Sequence, residues 1–196
     1  MKQPLESLCM TVILGLVLTL VMAYVVASTG YSSAVDLFQW KVIIRWLHVI
    51  SGVMWVGLLW YFNFVQIPNM PNIPDDQKPA ISKVIAPAAL FWFRWGAMGT
   101  IVFGLSLAML QGVLIDALML NGGPDTVVIG IGMWLGLIMW FNVWFVIWPN
   151  QKKALGIVEV DADTKAAAAR TAMLLSRTNT LLSVPMLLAM VSAQNI

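Results

Sequence analysis

Among its 196 residues the chain has one cysteine, Cys9, and one histidine, His48. A lone cysteine excludes an internal disulfide, and the lack of any CxxCH excludes covalent c-type haem attachment. One histidine and one cysteine are too few for a tetrahedral zinc site within a monomer. Charge is scarce as well. Only 10% of the residues are charged, the formal net charge is +2, and no basic cluster exists beyond Lys152-Lys153, which argues against nucleic-acid binding. No Asp or Glu falls inside any long apolar run. Proton-coupled transport ordinarily uses an intramembrane acid, and serine–histidine–acid hydrolysis uses one to orient its imidazole, so both are disfavoured.

What the chain has in abundance is apolar residues, 60% of the total, with a mean hydropathy of +0.85. A helix needs about 20 mostly apolar residues to cross the hydrocarbon of a bilayer, and five stretches qualify: 10–27, 42–64, 88–110, 127–148 and 173–193. They predict an all-α, polytopic integral membrane protein with five transmembrane helices, residues 1–196 forming a single transmembrane domain. The first run is longer than the apolar region of a secretory signal, about 7–15 residues, and reads as a retained span behind a leading segment whose only cation is Lys2.

The connections set an orientation. The stretch 28–39 is a loop with Gly30 and Asp36. Between the second and third spans, Pro68, Pro71, Pro74, Pro79 and Pro87 predict that no long helix forms before the third span, and Lys78 and Lys83 lie there too. The connection 111–126 carries Asp116 and Asp125 but no cation, whereas 149–170 holds Lys152, Lys153, Lys165 and Arg170. Cationic loops stay in the cytoplasm, so the N-terminus is expected inside and the C-terminus outside.

Within the spans, Gly96, Thr100, Gly104 and Ala108 form a small-residue stripe, and Gly132 with Gly136 repeats the pattern; both predict close helix packing. Trp140, Trp144 and Trp148 recur every four residues and read as packing and interfacial anchoring. Asp161, Asp163 and Thr164 are capping residues for a last helix that starts before the membrane. Its segment Ser176, Arg177, Thr178, Asn179, Thr180, followed by Pro185, reads either as a kinked, locally repaired helix or as a polar site. No long-period repeat is visible.

His48 is the strongest chemical clue. At about 100° per residue, Arg45, Gly52, Trp55, Leu59, Asn63 and Gln66 all lie within roughly 60° of it, while Ile43, Ile50, Val53 and Met54 lie opposite. An inward-facing imidazole on a membrane helix suits an axial haem ligand. Arg45, one turn nearer the outer surface, suits a propionate, and Gly52, one turn deeper, leaves room for a flat ring. The plain alternative is a histidine hydrogen-bonded to a neighbouring helix. A second axial ligand must lie at the depth of His48, which selects Met133 or Met186 and leaves Met98 and Met139 too deep and Met109 too shallow. A symmetric dimer with two copies of His48 around one haem is the other solution.

Four stretches carry a family resemblance: RWLHVISGVMWVG at 45–57, FWFRWGAMGT at 91–100, NVWFVIWPNQKKALG at 142–156 and TNTLLSVPMLLAM at 178–190. The chain resembles the membrane-embedded N-terminal domain of the bacterial cytochrome-c-linked urate oxidase (urate hydroxylase) family. Family members typically continue into more spans and a cytochrome c domain and carry further histidines, which this sequence lacks around Thr178–Asn179 and 192–195. The resemblance carries over His48 with Arg45, and the motif residues Arg94, Asn142, Asn150, Gln151, Asn179 and Pro185. It implies an inner-membrane redox subunit, possessing haem b at His48 and exchanging electrons with a cytochrome c, another partner protein or a quinone. The competing expectation is a non-catalytic accessory subunit that keeps the scaffold and packs against other membrane subunits or a second copy of itself.

Overall fold

Apolar length becomes helix throughout. The computed structural model describes residues 7–28 and 39–193, and all regular structure in them is helical. The leading segment with Lys2, the loop around Gly30 and Asp36, and the tail at Asn195 lie outside the described residues. Five helices are long and apolar enough to cross a membrane: α1 (Leu8–Ser28), α2 (Trp40–Asn72), α3 (Lys78–Gln111), α5 (Pro124–Ala154) and α6 (Ala162–Ser192). A short α4 (Leu114–Leu118) lies between α3 and α5.

The chain divides into two compact units, residues 1–44 and 45–196. In the first, α1 exposes apolar side chains on every side, among them Leu18, Leu20 and Val25, the pattern of a membrane span rather than of a surface helix. The second unit holds the rest of α2 and all later helices. Its core joins Trp55, Leu59 and Phe62 of α2, Leu90, Phe93 and Ala97 of α3, Met139, Val143 and Ile147 of α5, and Met186 of α6. Phe62 meets Phe93 edge-on, with ring centroids 5.9 Å apart, a favoured aromatic geometry.

Helices here run longer than the apolar stretches, and the prolines between the second and third spans do not break them. Helix α2 continues through Pro68 to Asn72, and α3 starts at Lys78 with Pro79 in its first turn. A widened turn makes this workable. Tyr61–Gln66 and Ile81–Ile85 are π-helical, and so is Asn142–Ile147 in α5. Each widened segment closes on the residue just before a proline. Ile67 N–H reaches the carbonyl of Phe62 ahead of Pro68, Ala86 that of Ile81 ahead of Pro87, and Trp148 that of Val143 ahead of Pro149. A proline ring collides with the carbonyl four residues back and supplies no N–H. A single π turn relieves that crowding without ending the helix.

Two of these turns reveal a repeat. Phe64-Val65-Gln66-Ile67-Pro68-Asn69 and Phe145-Val146-Ile147-Trp148-Pro149-Asn150 share the pattern FVxxPN. In both, the asparagine amide donates to the valine carbonyl four residues earlier, at 2.7 Å for Asn69 and 2.8 Å for Asn150. The even hydrophobicity around the pattern hides it from a search for periodicity. Both copies sit at the same end of their helices, called below the proline end.

Packing between helices follows the glycines. A Cβ on Gly96 would lie 3.1 Å from the Trp55 backbone nitrogen and 3.3 Å from the Ser51 carbonyl. The small-residue stripe of α3 is therefore the seat of α2. Gly132 approaches Ala189 and Met190 of α6 in the same way, whereas the nearest atom to Gly136 is Ile101 Cδ1 at 4.0 Å. Helix α6 starts at Asp161, whose carboxylate accepts from Thr164 N–H at 2.8 Å and from the Thr164 hydroxyl at 2.6 Å. The hydroxyl contact, then the N–H, holds the Asp161 carboxyl below the usual carboxylate range.

Candidate functional site

The expected inward face of α2 holds from His48 onward. Trp55 and Leu59 are fully buried, Asn63 is buried, and Ile50, Val53 and Met54 on the opposite side are exposed. Arg45 departs from the pattern: it is exposed, as suits a guanidinium near a helix end, where the charge can reach the polar boundary.

His48 is half-buried, and its Nδ1 lies 2.9 Å from the Thr100 carbonyl of α3. A carbonyl only accepts, so Nδ1 carries the proton and, in the neutral ring, Nε2 keeps its lone pair. Such a bond to one ring nitrogen commonly fixes the tautomer and orientation of a metal-binding histidine. Gly104 makes the fit feasible, since a Cβ there would stand 2.9 Å from His48 Cε1 and 3.0 Å from Nδ1. Gly52 has a different environment: its nearest neighbour is the Thr100 side chain, 4.0 Å away.

A cavity of about 50 Å³ opens beside the ring, lined by His48, Met133, Met186 and Met190 together with Trp55, Thr100, Gly104, Gly136 and apolar side chains. The two methionines selected by depth thus share a wall with His48. Met139 lies in the core away from the cavity lining and Met109 is exposed. Met190, one turn beyond Met186, escaped the depth argument; its i, i+4 spacing from Met186 is the signal that marks it.

A haem does not fit this space. Pockets for ligands of drug or cofactor size are about 300–1,000 Å³, several times the volume beside His48, and the expected propionate partner Arg45 is exposed.

The remaining motif residues gather toward the proline end. Asn179 is fully buried; its amide donates to the Met139 carbonyl at 2.9 Å and its oxygen accepts from the Asn142 amide at 2.9 Å. Asn63 donates to Ser176 Oγ at 2.8 Å, and Trp60 donates to Ser183 Oγ at 3.0 Å. These bonds tie α2, α5 and α6 together. Asn179→Ala should therefore lower stability by about 1–2 kcal/mol, from the unpaired Asn142 amide. Thermal unfolding in detergent measures it, and a melting point equal to wild type would show that the node carries no load.

Arg94 lies with its guanidinium 3.4 Å from the centre of the Trp148 ring, a cation–π contact. Trp144 of the same stripe meets Trp95 edge-on at 5.6 Å. The tryptophans of α5 therefore pack, as their spacing predicts, and Trp148 also receives a charge. Asn150 serves its own helix through Val146, and the side-chain oxygen of Gln151 is buried without a protein partner. The site residues thus form two groups, His48 with Met133 and Met186, and a polar set made of Arg94, Asn142, Asn150, Gln151 and Asn179.

Residues 123–195 match the family model for the urate oxidase N-terminal region. The match spans α5 and α6. It includes Met133, Asn142, Asn150, Gln151, Asn179 and Met186 and does not reach Arg45, His48, Gly52 or Arg94. No curated protein matches the chain, and no solved structure does.

Proposed function

We propose that the chain is a multi-pass subunit of an oxidoreductase complex in a bacterial inner membrane, with His48 at its chemical centre. One observation carries the reading: an imidazole pinned through Nδ1 to the Thr100 carbonyl shares a cavity with Met133 and Met186. The likeness of α5 and α6 to a urate oxidase N-terminal region supports a redox setting. Electrons would pass to a cytochrome c, another membrane subunit or a quinone.

The absorption spectrum and metal content of the purified protein test this. A metal or chromophore present in wild type and lost in His48→Ala supports the reading. Protein free of both, even when purified without oxygen or chelators, overturns it in favour of the accessory subunit.

The orientation belongs to the same proposal. Lys152, Lys153, Lys165 and Arg170 around the α5–α6 connection support a cytoplasmic proline end, and Asp116 and Asp125 with no cation support an outer position for α4. A reporter active only in the periplasm should give signal when inserted at 121–122 and none at 157–158. The reverse pattern would invert the topology.

A further inference from the structure

The space beside His48 is small, apolar and rich in sulfur. A cavity of about 50 Å³ exceeds the roughly 10–15 Å³ that admits one water, yet its lining gives a water few partners. Three thioethers share it with one imidazole: Met133 from α5, and Met186 and Met190, a turn apart on α6. Met133 and Met186 are buried. Gly104 and Gly136 leave their parts of the wall without side chains.

The donor chemistry selects one class of ligand. Soft thioethers select Cu(I), and imidazole binds copper as well. Magnesium and calcium need several oxygen donors, and no carboxylate lines the cavity. Zinc needs more imidazole or thiolate than one ring supplies, and no group of three or more His, Cys, Asp or Glu occurs among the described residues. Charge points the same way. A divalent ion in an apolar interior without an anion to offset it is heavily penalised, while a monovalent ion with polarisable ligands is penalised least.

We propose that His48, Met133, Met186 and Met190 form a Cu(I) site within the membrane-spanning part of the chain. The inference rests on the reading of His48 as the chain's centre and adds the identity of what it holds. His48 supplies Nε2, since Nδ1 is engaged by Thr100; the three sulfurs supply the remaining ligands, and Gly104 holds the ring against α3.

The test is an anaerobic titration of the full chain in detergent with Cu(I), in competition with a chromophoric Cu(I) chelator, repeated with Ag(I) as a redox-inert probe. Wild type should bind one ion per chain. Met133→Leu and Met186→Leu should each weaken binding about tenfold or more, and His48→Ala should abolish it. Leucine for methionine conserves volume and is well tolerated, so the methionine variants remain folded, as thermal melting will check, even where His48→Ala is not. Met109→Leu, on an exposed face, and Cys9→Ser should bind like wild type. Unchanged affinity in the Met133→Leu/Met186→Leu double variant overturns the site, and so does copper that is lost in Cys9→Ser and kept in His48→Ala. A b-type haem spectrum that vanishes in His48→Ala would remove copper and keep His48 as the centre. No ion and no His48-dependent chromophore would remove both.

Discussion

Gly130→Ala should destabilise the protein by about 3 kcal/mol, the upper end of the usual cost of overpacking. A Cβ at Gly130 of α5 would collide with the Ala117 carbonyl of α4 and crowd the Leu120 side chain. A carbonyl in a helix cannot swing aside as a side chain can. Helix α4 is also held by Trp134, whose indole N–H donates to the Leu118 carbonyl at 2.9 Å, so any shift of α4 strains that bond too. Two other glycines calibrate the result. At Gly132 the added methyl meets the Ala189 Cβ at 3.1 Å and the flexible end of Met190 at 3.2 Å, so Gly132→Ala should cost less. At Gly57 nothing lies within 4 Å, and alanine there should be neutral or stabilising by about 0.5–1 kcal/mol, because glycine is a poor interior helix residue. Melting temperatures in one detergent rank the three. A Gly130→Ala protein as stable as Gly57→Ala would show that α4 does not rest on α5.

The second large effect falls on chemistry rather than stability. In Gly104→Val the branched side chain takes the place of the His48 ring edge, since even a Cβ would stand 2.9 Å from Cε1. The ring must turn away and lose its bond to the Thr100 carbonyl. The lost bond amounts to about 0.5–1.5 kcal/mol of stability and overpacking adds about 1–3 kcal/mol, so a melting curve accompanies the binding measurement. Binding at His48 should fall by about 10–100-fold, the usual consequence of removing the partner that orients a ligating histidine. His48 is the chain's only histidine, so a spectrum of the imidazole nitrogens contains one signal pair. Wild type should show the proton on Nδ1, and Gly104→Val a mixture of tautomers. An unchanged pair of nitrogen shifts would mean that Gly104 does not seat the ring.

Much of this architecture is legible in the sequence, for identifiable reasons. Apolar length alone marks the five long helices, and a single helical wheel separates the exposed Ile50, Val53 and Met54 from the buried Trp55 and Leu59. Depth counted from span ends places Met133 and Met186 on the wall that His48 lines. These are properties of one helix at a time. What one helix cannot disclose is its register against another. Gly104 is spaced like any packing glycine, and only the α2–α3 alignment sets it against His48 rather than against backbone, as Gly96 is. The exposed Arg45 falls within the inward sector of the wheel, yet its nearness to the helix end governs where its charge goes. The prolines misled for a related reason. Their effect depends on whether the preceding turn widens, which is a property of the backbone and leaves no periodic trace.

The widened turns have one further consequence. Each takes up one extra residue, so residues beyond it lag by about 100° behind the direction that counting 100° per residue from before it predicts. Helices α2 and α5 therefore run in two angular frames joined by a slip of one residue. In α5, Met133 belongs to the first frame, and Asn150 and Gln151 to the second. Deleting one residue within Asn142–Ile147 should leave both Met133 and the Pro149–Asn150–Gln151 end facing as before, with renewed crowding ahead of Pro149, whereas the same deletion in a regular turn of α5 would swing that end by about 100°. These turns are thus the places where α2 and α5 absorb a change of one residue in length while the faces on either side keep their partners.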